Sequence, residues 1–206
     1  MITIKLKKVN REEIPIFPKD KQAYHCSHDR PCAKYDARPC CPPNVYHITD
    51  KKFKYFYMIY FRIPREDSAH RDTKWDTNSF FFANWAGGLI AKYHKLLVNS
   101  VQHKLDKKSI TMKINGCKGC KWKKQRKCEQ IRPQPEGIGI NVVKISEKMG
   151  YPIQWIKDNC RIPYYSGVGG ILTDVELTPK DFKMAMKEAI EDYNMRQKTY
   201  PKESKK

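Results

Sequence analysis

Ile2, Ile4 and Leu6 alternate with polar residues at the start of the chain, the period of two that predicts a half-buried strand. Between 53 and 64 the run FKYFYMIYFRIP is dense in aromatic and β-branched residues and stops at a proline, which predicts a second, well-buried strand. Trp85, Leu89, Tyr93, Leu96, Leu97 and Val101 then recur at steps of three and four, predicting a long amphipathic helix that ends near 105, with Asp76, Thr77 and Ser79 as candidate N-caps. Gly87 and Gly88 weaken that helix by about 1 kcal/mol each relative to alanine and leave room for another backbone to approach. SITMKIN at 109–115 reads as a strand, 138–149 has near-helical apolar spacing before Gly150, and VGGILT at 168–173 reads as a last inner strand. Thr178, Pro179 and Asp181 form a helix start with proline at the first helical position and an acid in the capping-box place, and Phe182, Met186, Ile190 and Tyr193 follow on one face.

The order is strand, cysteine loop, strand, helix, strand, cysteine loop, helix, strand, helix, with no other internal repeat and no linker. That order predicts an α/β (α+β) fold: a single layered domain over 1–206, with a mixed sheet, flanking helices and a cysteine-rich metal or cluster lobe made by the loops 24–46 and 117–132. Residues 197–206 read as a basic flexible tail. Phe53, Tyr55, Phe56, Tyr57 and Tyr60 offer a base-stacking platform if exposed, but the run has no clean polar face, so sheet packing is the expected role.

Charge changes the picture. Lys plus Arg number 41 against 22 Asp plus Glu, a formal charge of +19 that solubility does not require and that points to a polyanionic partner. No apolar run approaches the ~20 residues of a membrane span and no cationic amphipathic helix begins the chain, so RNA, as tRNA or the ribosome, is favoured over lipid or an acidic protein partner. The first residues carry no signal-peptide apolar region, so a cytoplasmic location with reduced thiols is expected. Eight cysteines in that setting suggest metal before disulfides.

The cysteines fall in two loops. CKGCKWKKQRKC at 117–128 spaces three of them C-x2-C-x7-C, with Gly119 freeing the backbone for the tight turn between Cys117 and Cys120, and Cys128 closing a third position. The first loop supplies Cys26, Cys32, Cys40 and Cys41, with His25 and His28 beside them, and Cys41 stands directly before Pro42 and Pro43. The preferred ligands are Cys32, Cys41, Cys117, Cys120 and Cys128, with Cys26, Cys40 and the isolated Cys160 as weaker candidates. Zinc usually pairs two C-x2-C knuckles, whereas three local thiolates and one remote Cys-Pro favour a [4Fe-4S] cluster; zinc stays as the alternative. A four-thiolate site carries net negative charge, which the surrounding cations stabilise while depressing the thiol pKa values. The same cations, Lys118, Lys121, Lys123, Lys124, Arg126 and Lys127, enclose Trp122 in the aromatic-among-cations pattern that holds single-stranded RNA, although Trp122 as a lid on the metal is an equal reading.

Cys32, Tyr35, Cys41-Pro42-Pro43, Cys117, Cys120 and Cys128, followed by RPQPEGIGINVVKISEKMGYPIQW at 132–155, resemble the predicted metal-binding family called domain of unknown function 2284 over roughly 24–175. Arg132, Pro133, Glu136, Gly139, Ile140 and Val142 match its later segment, while Cys26 is displaced from the family's first cysteine, Asp36 stands for glycine, and Gly137 and Asn141 replace the usual alanine and aspartate. The resemblance implies a bound metal or cluster and brings no reaction with it. An iron–sulfur redox or sulfur-transfer factor acting on an acidic protein, and a zinc-stabilised binding module, are the competing functions. His70-Arg71-Asp72 lacks the rest of a kinase site, Ser166-Gly167-Val168-Gly169-Gly170 lacks the following helix of a phosphate loop, and Glu136 is assigned to capping before any acid–base role.

Overall fold

A computed structural model describes residues 2–24, 35, 40–67, 79–114, 132–153 and 162–199. Its four strands are β1 (Thr3–Asn10), β2 (Tyr55–Pro64), β3 (Ile110–Met112) and β4 (Tyr164–Thr173), and its three α-helices are α1 (Ser79–Val101), α2 (Val142–Lys148) and α3 (Pro179–Thr199). The sheet order is β1-β2-β4-β3. Each neighbouring pair is antiparallel, where a mixed sheet was expected. β2 and β3 do run the same way, but β4 enters between them and is antiparallel to both, so no parallel neighbours arise.

The aromatic run behaves as its missing polar face implied. Odd positions of β2 (Tyr57, Ile59, Phe61, Ile63) pack against α1 and α3. Even positions (Phe56, Met58, Tyr60) pack on the opposite side against Val9, Ile14, Val45, Ile48, Ile138, Ile140 and Ile145. This is the period of two with both faces covered. Phe53, Phe56, Tyr57 and Tyr60 are therefore core residues and Tyr55 is half-buried, so β2 offers no platform for bases. Pairing Val9 with Phe56, and Ile4 and Leu6 with Phe61 and Ile59, continues the same two faces onto β1.

The buried stripe of α1 is Phe82, Ala86, Ile90, Tyr93, Leu97 and Val101, one turn per step, with Trp85, Leu89 and Leu96 at its margin. Its middle crosses β4 over glycines. A Cβ at Gly167 would lie 3.1 Å from Ile90, and one at Gly169 only 2.2 Å from His94 Nε2. The glycine-rich stretch thus serves close packing rather than phosphate binding. At Gly87 the close neighbour is the Tyr165 ring, not another backbone, and Gly88 meets nothing.

α3 starts as its sequence predicts. The Thr178 N–H and hydroxyl donate to Asp181 Oδ2 (2.8 and 2.9 Å), and Asp181 N–H returns a bond to Thr178 Oγ1 (3.2 Å). Its buried face is Phe182, Ala185 and Ala189 with Met186 alongside, whereas Ile190 is exposed. The helix continues to Thr199, so the expected tail from 197 is helical for its first three residues. The turn at Leu177 is fixed by its N–H donating to the Tyr57 hydroxyl (2.7 Å) in the core.

His94 is buried on α1, edge-on to Phe61, with no hydrogen-bond partner for Nε2 among the described residues. Burial, aided by the charges of Arg132 and Lys113, pushes its imidazole from the ordinary 6.5 down to about 4. The folded state therefore favours neutral His94; this contribution is complete above pH 6.5 and is lost as pH falls towards 4. We predict that His94→Leu removes this acid-side loss, worth at most about 3 kcal/mol, as read from urea unfolding across that range.

Candidate metal centre

Three segments that are remote in sequence meet on the face of the sheet opposite α1 and α3. Residues 15–17 pair with 139–141: Phe17 N–H donates to Gly139 O (2.8 Å), Asn141 N–H to Pro15 O (2.8 Å), and Ile16 bridges Ile140. His47 joins them. Its Nε2 lies 3.0 Å from the Phe17 carbonyl, an acceptor, so Nε2 carries the proton and Nδ1 accepts from the Thr49 hydroxyl at 2.7 Å. Both ring nitrogens are thereby engaged, which leaves His47 a structural residue and no metal ligand. The ring lies against Gly139, whose φ of 96° and whose missing Cβ are both required, since that atom would sit 2.2 Å from Nε2.

Cys40 and Cys41 are buried in this assembly. Asn44 N–H donates to Cys41 O (2.9 Å) across a cis Pro42–Pro43 bond, so the chain turns immediately after the thiols. The Cys40 carbonyl presses on Gly137, where an added Cβ would come within 2.9 Å. Gly137 stands where alanine is usual in the family that the sequence resembles, and here the shorter residue lets the first cysteine loop seat directly on the 132–141 segment. Asn141, in place of the usual aspartate, keeps the capping role: its Oδ1 accepts from Lys144 N–H (3.0 Å) at the start of α2.

The second cysteine loop is anchored on the α1 face at its entry and on the 132–141 segment at its return. The chain enters it after Ile114, which packs with Ile90 on Gly167, and Lys113 N–H donates to Pro133 O (2.8 Å) on the returning strand. Cys128 is four residues from Arg132, a reach of about 14 Å at full extension. The feet of both cysteine loops therefore stand on one structural element. Of the sequence-selected ligands, Cys41 and the weaker candidate Cys40 are in place at that foot. Cys26, Cys32, Cys117, Cys120, Cys128 and Cys160 lie outside the described residues, as do Lys118, Lys121, Trp122, Lys123, Lys124, Arg126 and Lys127. Among the described residues no three His, Cys, Asp or Glu side chains gather as a metal site.

The sequence profile of a family described as predicted metal-binding protein, domain of unknown function 2284, matches residues 7–168. The chain belongs to this family. The match starts inside β1 and ends inside β4, so the family region takes in the sheet, α1, α2 and both cysteine loops. Searches of the curated proteins and of the solved structures found no match. The domain of unknown function 2284 brings metal binding with it and no stated chemistry, so the donor set must supply the rest. Two buried thiols on a turn, at the foot of a loop rich in further cysteines, suit a thiophilic metal.

Glu136 is a titratable group for which the sequence favours capping over orienting a ligand or acting as a base. It opens the short 3-10 turn Glu136–Ile138, one residue before the glycine that Cys40 touches. Burial lifts its carboxyl from 4.5 to about 7, against a smaller opposing effect of its own backbone N–H, and its charge in turn helps burial raise Tyr165. A carboxyl shifted towards neutrality by burial is a candidate proton carrier. The structural consequence runs opposite to that of His94: Glu136 contributes fully below pH 4.5 and loses its contribution as pH rises towards 7. The two slopes overlap and oppose each other, so stability between pH 4.5 and 6.5 is expected to be nearly flat. Glu136→Gln should raise stability above pH 7 by up to about 3 kcal/mol and expose the His94 slope below it, in urea melts at stepped pH. Gly137→Ala should destabilise the protein by about 1–3 kcal/mol in the same assay, because the Cys40 backbone must move to admit the methyl group.

Proposed function

We propose that this member of the domain of unknown function 2284 is a cytoplasmic, metal-binding protein that associates with RNA, tRNA or the ribosome, through a basic surface ordered by its cysteine loops. The observation that carries the RNA reading is the charge of +19, from 41 basic against 22 acidic residues, beyond what a few thiolates need for neutralisation. Among the described residues no helix is long and apolar enough to cross a membrane. The metal reading is supported by the family and by the buried Cys40 and Cys41 at the end of the first cysteine loop.

Cys41 from the first loop with Cys117, Cys120 and Cys128 from the second would hold the metal, with Cys32, Cys26, Cys40 and Cys160 as the further thiols. A [4Fe-4S] cluster is preferred over zinc on the lopsided spacing, and would add electron or sulfur transfer to what a zinc site does structurally. The lysines around the thiols would lower their pKa values.

Iron, zinc and acid-labile sulfide are to be measured on anaerobically purified protein, with RNA binding followed as salt is raised. About four irons and four sulfides per chain are expected, with Cys120→Ser abolishing them. About one zinc without sulfide would leave a structural module, and retention of full metal content by Cys120→Ser would overturn the ligand set. RNA binding that is absent, or insensitive to salt, would remove the RNA reading and leave a redox or sulfur-transfer role on an acidic protein.

A further inference from the structure

A groove of about 950 Å³ opens along β3, the edge strand next to β4. Six cationic side chains line it, Lys51, Lys52, Lys107, Lys108, Lys113 and Arg132, and no acidic residue does. They come from three stretches: the approach to β2, the turn before β3 and its exit, and the return from the second cysteine loop. Among the described residues none of the six is in an ion pair, although Lys8, Lys19, Lys104 and Lys187 elsewhere each have a carboxylate partner. The groove thus concentrates cations whose charge the protein leaves uncompensated.

These cations are also held in place. Lys107 and Lys108 occupy the corners of the turn from Asp106 to Ser109, closed by Ser109 N–H to Asp106 O at 3.1 Å. The acid nearest them, Asp106, is engaged by the Ser109 hydroxyl at 2.7 Å, and that hydroxyl lies 2.7 Å from Thr173 Oγ1 on β4. Lys51 has its Nζ over the Tyr46 ring at 4.8 Å. Arg11 fixes the same segment, donating from Nη2 to the Lys51 carbonyl (3.2 Å) with its guanidinium over Phe53 at 5.1 Å. Phe53, Thr111 and Leu172 are buried beneath the groove. Lys113 and Arg132 are felt as far as His94, whose imidazole they help to keep uncharged.

From this we infer that the groove along β3 is the binding site for the phosphate backbone of a single RNA strand. The inference rests on the RNA reading above and gives it a location among the described residues. A groove of this volume is at the upper end of the pockets that take small ligands, which suits a few nucleotides of one strand. Tyr46 has one face occupied by Lys51 and Phe53 is buried, so recognition is through phosphates and carries little base preference.

The test is fluorescence anisotropy of labelled 12-nucleotide oligouridylate and oligoadenylate, titrated with metal-loaded protein at stepped salt. Six phosphate contacts predict a log–log salt slope of about −4 and a loss of affinity of about 300-fold for a fourfold rise in salt, alike for both sequences. Lys107→Ala/Lys108→Ala should bring the slope to about −3, since each lost contact removes about 0.7. Both lysines are exposed on a turn, and a circular dichroism melt checks that the variant folds. Lys5→Ala/Lys7→Ala is the control: it removes the same charge from β1, the opposite edge of the sheet, and should leave the slope unchanged. If wild-type protein binds neither oligonucleotide, the RNA reading itself fails. If it binds and the two double variants behave alike, RNA association survives and the groove does not. Equal, groove-dependent affinity for a duplex of the same length would overturn the assignment to a single strand.

Discussion

The ten-residue antiparallel pairing of β2 with β4, from Tyr55 opposite Thr173 to Pro64 opposite Tyr164, is the constraint on which the other elements depend. Both strands are buried on both faces, so neither can shift by one residue without exchanging one core for the other. On one side Gly167 and Gly169 admit α1 so closely that Ile90 and His94 touch the strand. On the other side Gly170 lets the Phe56 and Met112 side chains close over it, where a Cβ would lie 2.5 Å from Phe56 and 2.9 Å from Met112. The glycines of one strand thereby set the approach of a helix on one face and of an aromatic layer on the other. Everything proposed for function is fastened to the second of these faces or to the β3 edge.

Much of this was legible in the sequence because it depends on local pattern. The alternation of β1, the apolar density of β2, the three-and-four spacing of α1 and the Thr178–Asp181 box each point to the element that forms there. Errors arose where tertiary contact decides. β4 begins at Tyr164, four residues before the expected start, because its polar and glycine positions read as a loop until a helix is placed over them. The helix expected from 138 begins at Val142, since Gly139 adopts a left-handed conformation to pass His47. In α3 two alanines, rather than Ile190, face the core, as close helix packing demands small residues there.

For the candidate centre the sequence offers candidate ligands but not what would support them. C-x2-C-x7-C and Cys41-Pro42-Pro43 announce thiophilic chemistry by spacing alone. Nothing local marks Glu136 as a carboxyl shifted to about 7, because that shift comes from burial by the fold. The groove was missed for a related reason. Its cations are divided among segments about fifty and twenty residues apart, and only the doublets Lys51-Lys52 and Lys107-Lys108 gave a trace of it, in a chain where lysine doublets are common.

The bond from Lys113 N–H to Pro133 O has a bearing on the closing of the second cysteine loop. Closing a loop costs conformational entropy, and most of that cost falls on bringing its two ends together. Here the ends of the second cysteine loop are held by the sheet edge and by the 132–141 segment, which share one core through Met112, Ile138 and Ile140. The neck of the loop is therefore closed by protein contacts alone, and the entropy of bringing its ends together is already spent by the fold. In a small zinc finger, by contrast, metal and fold come and go together.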